Sequence, residues 1–452
     1  MPILKAVDGQ KPREIATRVL ARRGAGGEFV EALLDHALAQ SRLSGADRGL
    51  CYELTLGAVR WQATLDWLIA RKAPGRTQKA GLQNLLRLGL YQIFWLDRIP
   101  PHAAVHETVE LARQSGFGAQ AGFVNAVLRG YLREADTTRA LLAGLKTSQP
   151  ALGWSHPEWL VERWRQRWGD EPTRRLLEWN NRPPATFARV NTLRTTAGQL
   201  VERWRSEGVD YDFKTWDWTG ENLVFQLKSH PPLPTLGSFR EGGFYVQDPS
   251  TLLAVRALGP QPGEQVLDSC AAPGGKTAFI AQLMENRGRV VAEDSSPARL
   301  KLLAENCTRL GVTCAETRGN EESSGHVDSR GPHHRVAGPA ATEMFDRVLL
   351  DAPCSNTGVM RRRADLRWRL KPAELGRLRA MQLRLLGRAA AAVKRGGLLV
   401  YSTCSLEPEE NAGLVKDFLL GRADFSLEYE HELLPFKDGV DGAFVARLKR
   451  TA

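Results

Sequence analysis

The chain has 452 residues, of which 42% are hydrophobic and 25% charged, the balance of a soluble globular protein with two or three domains. Its 62 Lys and Arg residues outnumber 51 Asp and Glu residues, and the net charge of +11 favours a polyanionic partner such as nucleic acid, although a generally basic proteome would give the same charge. The six cysteines form no C-x-x-C pair, so neither a zinc knuckle nor a disulfide framework is indicated. Free thiols suggest a reducing compartment, and no stretch approaches a membrane span, so we expect a cytoplasmic protein without membrane contact.

The N-terminal third has the periodicity of helices only. Apolar residues recur on one face through five to seven segments of the first ~135 residues, and no strand alternation interrupts them. We therefore predict an all-α bundle over residues 1–147.

Residues 148–250 mix helical and strand signals. Strands are predicted at 185–190 and 223–227, with a helix at 199–206 between them. This pattern predicts a small α+β domain for substrate binding.

Residues 251–452 alternate between strand and helix. Such alternation indicates a parallel sheet covered on both faces, as in a Rossmann-like α/β domain. The segment 443–448 alternates in the manner of an antiparallel closing strand.

A glycine turn follows the first predicted strand of this last domain. Small residues let a ligand approach the backbone, and the helix N-terminus that follows favours negative charge. Asp294 ends the next predicted strand, 19 residues after the last glycine, where a carboxylate can accept hydrogen bonds from ribose hydroxyls. We predict a nucleoside-cofactor site, whose turn comprises Cys270, Ala271, Ala272, Pro273, Gly274, Gly275 and Lys276.

Two phosphate-binding motifs are alternatives for this turn. Gly275-Lys276-Thr277 matches the end of a P-loop, but position 270 holds cysteine where that motif needs glycine. The dinucleotide pattern G-x-G-x-x-G is absent as well. An adenosyl cofactor without a pyrophosphate fits better, although a plain structural turn would have the same sequence.

Two cysteines come directly after predicted parallel strands. Cys354 follows the strand 348–350, and Cys404 follows the strand 398–400. Ligands of open α/β sheets bind at the carboxyl ends of the strands, so both thiols, Asp351 and the glycine turn should share one crevice. Inert packing of cysteine is the alternative.

The stretch 319–342 shows little periodicity and predicts a mobile surface insertion. His326, His333 and His334 lie in it without a carboxylate or thiol at ligand spacing. We expect a solvated loop and no metal.

Three segments resemble the motifs of the Nol1/Nop2/Sun family of RNA cytosine-5 methyltransferases. They are CAAPGGKT (270–277), DAPCSNTGV (351–359) and YSTCSLEPEEN (401–411), and the resemblance covers about residues 150–450. The N-terminal bundle is similar to the NusB RNA-binding fold. The combination resembles bacterial enzymes that act on 16S ribosomal RNA.

The resemblance implies covalent catalysis. Cys404 would attack carbon 6 of cytosine and so activate carbon 5. Asp351 would contact ring N3, which requires it to be protonated or to act through water. Cys354 would take part in releasing the adduct, and Lys276 would favour the Cys404 thiolate or contact the substrate.

The resemblance also implies S-adenosylmethionine as the cofactor. The turn 270–276 would hold it, and Asp294 would bind its ribose. The family often has arginine at the position of Arg299 and Gly-Asp where this chain has Gly319-Asn320, so Asn320 departs from the pattern. An amide can still donate and accept there. The predicted contacts outside the turn are therefore Asp294, Arg299, Asn320 and Asp351.

Basic residues after the second motif are candidates for RNA contact. Arg361, Arg362 and Arg363 precede Trp368, and arginines beside an aromatic side chain suit phosphate contact and base stacking. A solvated basic face is an equal alternative. The segment 189–191 resembles a family segment near the substrate.

We therefore expect a monomer that methylates 16S ribosomal RNA, naked or in an early assembly form. The same chemistry on transfer RNA is one alternative, and a non-catalytic RNA-binding factor is another. A thiol redox enzyme is a third, which would require a C-x-x-C or a resolving pair, and the sequence shows neither.

Overall fold

The computed structural model describes residues 11–24, 26–319 and 344–451. The chain forms two compact units. One comprises Met1–Pro183 with Met360–Leu370, and the other Pro184–Val359 with Lys371–Ala452. The units are divided differently from the predicted domains, whose limits at 147 and 250 stay predictions.

The first unit is helical throughout, which confirms the predicted bundle. Proline starts α1 and α6, where its missing N–H costs nothing, and the Ser44 hydroxyl caps α3 by accepting from the Asp47 N–H. Its helices are α1 (Pro12–Gly24), α2 (Val30–Ala39), α3 (Gly45–Arg60), α4 (Gln62–Lys72), α5 (Ala80–Trp95), α6 (Pro101–Ala112), α7 (Ala121–Arg133), α8 (Ala135–Ser148), α9 (Pro150–Gly153), α10 (Glu158–Trp168) and α11 (Asp170–Asn181).

The segment Met360–Leu370 is part of this helical unit, although it follows the Cys354 motif in sequence. Its Arg367 side chain is fully buried. The guanidinium donates to the carbonyl oxygens of Asn180 (3.0 Å) and Ser155 (3.1 Å) and to the side-chain oxygen of Asn181 (2.7 Å). A buried cation with this many acceptors is a structural anchor.

Asp365 anchors the same segment a second time. Its buried carboxylate pairs with Arg23 at 2.6 Å and with Arg369 at 2.7 Å. The indole N–H of Trp368 donates to the Val59 carbonyl at 2.7 Å. The segment is therefore fixed within the helical unit by charge-assisted hydrogen bonds.

The second unit begins with a small antiparallel sheet in the order β2-β3-β1-β4. Trp204 is fully buried against it and contacts Phe225 and Phe244. This confirms the predicted α+β character, to which the structure adds β2 and β4. The elements are β1 (Thr186–Val190), α12 (Ala197–Glu207), β2 (Asp210–Lys214), β3 (Val224–Ser229), α13 (Gly237–Arg240) and β4 (Phe244–Val246).

A seven-stranded mixed sheet follows, in the order β10-β11-β9-β8-β5-β6-β7. Strands β9, β8, β5, β6 and β7 are parallel, which confirms the Rossmann-like prediction, and β11 closes the sheet antiparallel between β9 and β10. The elements are α14 (Leu252–Leu258), β5 (Gln265–Ser269), α15 (Gly275–Leu283), β6 (Arg289–Asp294), α16 (Pro297–Leu310), β7 (Ala315–Gly319), β8 (Phe345–Asp351), α17 (Leu366–Arg369, in the helical unit), α18 (Pro372–Ala391), β9 (Val393–Thr403), α19 (Ala412–Leu420), β10 (Phe425–Leu433), α20 (Pro435–Asp438) and β11 (Ala443–Arg450).

Within the described residues, no helix is both long and apolar enough to cross a membrane.

Asp268 is a fully buried carboxyl group near the end of β5. The Thr277 hydroxyl donates to its Oδ2 at 2.6 Å, whereas its Oδ1 has no hydrogen-bond partner. Burial raises the pKa of Asp268 to about 7. The neutral form is therefore favoured in the folded chain below that pH.

We expect Arg367→Met to lower the free energy of unfolding of the helical unit by about 3 kcal/mol, because three carbonyl acceptors lose their donor inside the core. Arg363→Met, at an exposed position of the same segment, is the control and should change it by less than about 0.5 kcal/mol. Urea unfolding of both variants checks this. Equal effects would contradict the anchoring role of Arg367.

The Asp268 carboxyl group should make stability fall as pH rises from about 4 to about 7. The folded chain binds its proton up to about pH 7, whereas the unfolded chain loses it near pH 4, so the stabilisation present below pH 4 is lost through this range. Relative to Asp268→Asn, which does not titrate, the wild type should lose up to about 4 kcal/mol between these pH values. Urea unfolding at several pH values measures the difference, and parallel curves for the two proteins would contradict it.

Candidate active site

The predicted cofactor turn connects β5 to α15 at the carboxyl edge of the large sheet. Cys270 and Gly274 have positive φ angles of 64° and 97°. Gly275 has a second constraint, because a Cβ there would lie 2.7 Å from the Cε1 atom of Tyr245 in the small sheet. Glycine at 274 and 275 therefore lets the backbone turn sharply and approach its neighbours closely.

Asp294 braces this turn from the end of β6. Only 2% of the residue is exposed, and its carboxylate accepts from the backbone N–H groups of Ala272 (3.2 Å) and Ser296 (3.1 Å). Arg299 lies 3.3 Å from the same carboxylate and also donates to the Ala272 carbonyl. The structure brings the turn, Asp294 and Arg299 together, and their contacts with a cofactor stay predictions.

The turn has the features that a nucleoside cofactor requires. Helix α15 begins at this glycine turn, and its first backbone N–H groups have no partner within the helix. Its first turn contains no acidic residue. Asp268 is in β5, the strand that precedes the turn, and its Oδ1 atom has no hydrogen-bond partner. These residues fit an adenosyl cofactor.

Lys276 and Asp351 form an ion pair beside the turn. The Lys276 ammonium lies 2.7 Å from Asp351 Oδ2, and the Ser402 hydroxyl donates to Asp351 Oδ1 at 2.8 Å. Burial lowers the pKa of Lys276, but the adjacent carboxylate of Asp351 outweighs burial and leaves the pKa raised. In this pair the proton therefore resides on Lys276.

The two predicted thiols are neighbours. The sulfur atoms of Cys354 and Cys404 lie 3.3 Å apart, and Cys404 also donates to the side-chain oxygen of Asn356 at 3.1 Å. The hydrogen bond with Cys404 and burial together raise the pKa of Cys354 well above that of an ordinary thiol. Cys354 is therefore a neutral thiol in the resting site.

This geometry corrects one inference from the sequence. The absence of a resolving cysteine was an argument against a redox enzyme, but Cys354 and Cys404 are such a pair in space. They come from loops 50 residues apart, and spacing along the chain could not reveal them. The partial exposure of Cys404 and its hydrogen bond to Asn356 argue against inert packing, and the catalytic role of the pair stays a prediction.

A buried carboxylate, Glu410, links the two thiol loops and was not singled out from the sequence. It accepts from the hydroxyls of Ser355 and Ser405, each of which is adjacent to one of the cysteines. Its position in the third motif was the available signal, but an acidic run after a loop is more typical of a solvated surface. Asn356 was missed for a similar reason, since asparagine is common in turns.

The residues predicted to contact RNA belong to the helical unit, whereas the thiols belong to the other unit. Arg361 is buried, with its guanidinium 4.0 Å from the ring centroid of Trp179, and the Trp368 N–H is already bonded. Arg362 is half-buried and Arg363 is exposed. RNA contact by these four residues stays a prediction.

Two further predictions concern the insertion. Asn320 and the three histidines of 319–342 lie outside the described residues. Among the residues that the structure does describe, no group of three or more His, Cys, Asp or Glu side chains could hold a metal ion.

Family models match three parts of the chain. Residues 255–449 match the model described as 16S rRNA methyltransferase RsmB/F, and residues 10–133 match the NusB family. Residues 156–218 match the ferredoxin-like domain of RsmF/B-like methyltransferases.

Curated relatives match over nearly the whole chain. A protein of Bacillus subtilis named "Probable ribosomal RNA small subunit methyltransferase B" is 34% identical, covering 97% of this chain and 98% of its own length. "Ribosomal RNA small subunit methyltransferase B" of Klebsiella pneumoniae is also 34% identical, with coverages of 90% and 91%.

Solved structures agree with the fold. The crystal structure titled PH0851 has a TM-score of 0.76 at 24% identity, covering 97% of this chain and 99% of that one. A methyltransferase homolog from Pyrococcus horikoshii has a TM-score of 0.55 at 30% identity, covering 66% and 97%.

These matches confirm the resemblance inferred from the three motifs and the N-terminal bundle. They also confirm the predicted cofactor, because S-adenosylmethionine is the methyl donor of this family. The chain belongs to the RsmB/F family of methyltransferases.

Proposed function

We propose that this protein transfers a methyl group from S-adenosylmethionine to carbon 5 of a cytosine in 16S ribosomal RNA through a covalent bond between Cys404 and carbon 6. The observation that carries the proposal is the pair of thiols, 3.3 Å apart, beside the Lys276–Asp351 ion pair. S-adenosylmethionine, when bound at the 270–276 turn, supplies the methyl group.

Cys404 is the proposed nucleophile. It is the more accessible thiol of the pair, whereas Cys354 is buried and held neutral by its raised pKa. The Cys404 thiol first loses its proton to solvent. Addition of the resulting thiolate to carbon 6 forms a C–S bond and moves the electrons of the ring double bond toward carbon 5. Carbon 5 of the adduct is then nucleophilic enough to take a methyl group, whereas carbon 5 of free cytosine is not.

Lys276 and Asp351 are the proposed proton source for ring N3. Both oxygens of Asp351 already accept hydrogen bonds, one from Lys276 and one from Ser402. A carboxylate has no proton to donate, so Asp351 acts on N3 either after a proton passes to it from Lys276 or through a water molecule. Such a transfer neutralises the charge that the Cys404 addition places on the ring.

Cys354 is proposed to act in release. Removal of the carbon 5 proton restores the ring double bond and breaks the C–S bond, so that Cys404 leaves with the bonding electrons. The sulfur of Cys354 lies close enough to Cys404 to act on an adduct formed there. Cys354 can accept the carbon 5 proton only as a thiolate, so its thiol must first lose a proton to solvent. Its raised pKa then makes that thiolate a strong base.

The proposed substrate follows from the relatives and the charge. The names of the curated relatives specify the small-subunit ribosomal RNA, and the net charge of +11 suits a polyanion. We propose a monomer that acts in the cytoplasm on a single-stranded or flipped cytosine. Transfer RNA is the alternative substrate.

The first test is methyl transfer from labelled S-adenosylmethionine to 16S RNA, naked and in assembly intermediates. Wild type should label one cytosine, and Cys404→Ala should be slower by on the order of 10³-fold or more because the covalent step is lost. Cys354→Ala should accumulate a protein–RNA adduct, because release is impaired. Gel electrophoresis under denaturing conditions detects the adduct.

Cys314→Ala, a half-buried thiol away from the turn and the thiol pair, is the matched control and should keep wild-type activity. Wild type that labels transfer RNA instead would move the substrate to the alternative. Wild type inactive on every RNA would contradict the catalytic proposal. An adduct with Cys404→Ala but not with Cys354→Ala would show that the two roles are reversed.

A further inference from the structure

Glu410 has an unusually complete set of hydrogen-bond donors for a buried carboxylate. Oε1 accepts from the Ser355 backbone N–H and from the Gln382 amide, both at 2.9 Å. Oε2 accepts from the Ser355 hydroxyl and, at 2.5 Å, from the Ser405 hydroxyl. The Tyr401 hydroxyl donates to the backbone carbonyl of Glu410 at 2.7 Å.

These donors come from both loops that carry the thiols. Ser355 directly follows Cys354, and Ser405 directly follows Cys404. The two serine hydroxyls also lie 3.0 Å from each other. One carboxylate therefore fixes the relative position of two loops whose sulfur atoms are 3.3 Å apart.

The backbone allows little other adjustment around this carboxylate. The Gly358 N–H donates to the Cys404 carbonyl at 2.9 Å, and a Cβ at position 358 would lie 2.7 Å from that oxygen. The Thr357 hydroxyl accepts from the Leu406 N–H at 2.8 Å. The backbones of the two loops are in direct contact, and Glu410 accepts hydrogen bonds from both loops.

Stability alone does not explain a carboxylate at this position. Glu410 is fully buried, and no Lys or Arg among the described residues pairs with it. Burial raises its pKa, so the environment disfavours the charge and four neutral donors compensate for it. A protein with apolar side chains in place of buried charged groups is often no less stable. The carboxylate is therefore better explained by the geometry that it imposes on the two loops.

We propose that Glu410 is a positioning residue that holds the Cys354 sulfur against the Cys404 sulfur by bonding Ser355 and Ser405 at the same time. The inference rests on the proposed function for its catalytic consequence, since release of the adduct needs both sulfurs at one place. The positioning itself can be measured without any methyl transfer.

The test uses diamide, a diazene that oxidises two neighbouring thiols to a disulfide and is itself reduced to the hydrazine. The rate at which the Cys354–Cys404 disulfide forms in the full chain, followed by peptide mass mapping, reports how closely the sulfurs are held. Glu410→Ala should form it about tenfold or more slowly than wild type. Glu410→Gln keeps an oxygen for two of the donors, and the serine hydroxyls can turn to accept from its amide, so its rate should lie within about threefold of wild type.

The matched control is Glu430→Ala, which replaces an exposed glutamate of β10. It should leave the rate of disulfide formation unchanged. Ser405→Ala removes one donor and keeps the carboxylate, and it should slow the disulfide even where Glu410→Ala does not fold. In the methylation assay, Glu410→Ala should lower kcat with little change in the KM for S-adenosylmethionine, and Glu410→Gln should restore most of kcat.

Folded Glu410→Ala or Ser405→Ala with a wild-type disulfide rate would overturn the proposal. So would wild type that forms no Cys354–Cys404 disulfide, because the two sulfurs would then not be neighbours. Slow disulfide formation in the variants together with wild type that methylates no RNA would leave the positioning role standing and remove the proposed function. A KM effect without a kcat effect would assign Glu410 to cofactor binding and contradict the inference.

Discussion

The parallel register of β8 and β9 is the constraint on which the site depends. Asp351 is the register partner of Ser402, and the Ala352 N–H donates to the Ser402 carbonyl at 2.9 Å. Both strands therefore end at the same level of the sheet, and the loops that follow must run side by side. Cys354 comes three residues after the end of one strand and Cys404 directly after the end of the other. A slip of one residue would turn Ser402 and Asp351 to opposite faces and separate the groups.

The charged groups of the site differ in how deeply they are buried. The side chains of the Lys276–Asp351 ion pair are partly exposed, and these groups are the proposed proton source. The carboxylate of Glu410 is fully buried, and its neighbours are neutral hydroxyl and amide groups. A fully buried carboxylate bonded by fixed neutral donors is suited to hold geometry, whereas a partly exposed ion pair is suited to exchange protons. The thiols lie in loops that contact both kinds of group.

Short sequence patterns were sufficient to predict the glycine turn and the positions of the two cysteines. The glycine turn at 274–275 follows from a positive φ angle at Gly274 and a close approach of Tyr245 at Gly275, and both cysteines follow from their place at strand ends. The partners of Glu410 could not be predicted in the same way, because Ser355 and Gln382 lie 55 and 28 residues away in the chain. The edge strands β2, β4, β7 and β10 were missed for different reasons. In β2 and β10 apolar residues do alternate with polar ones, so a local strand signal was present and was overlooked. In β7 all five residues are at least partly exposed, and β4 has only three residues, so neither gives a periodic signal.

The segment Met360–Leu370 shows that composition alone does not distinguish an arginine that anchors a core from one on a binding surface. Arginine beside tryptophan is typical of RNA-binding surfaces, yet here Arg367 and Asp365 are fully buried and bonded inside the helical unit. A guanidinium carries five donors in a fixed plane, so it can saturate several carbonyl groups in a core as well as it can bind phosphate. Burial distinguishes these two uses, and sequence does not report it. The Cys354 loop itself is held by β8, which precedes it, and by Glu410, which accepts from the Ser355 N–H.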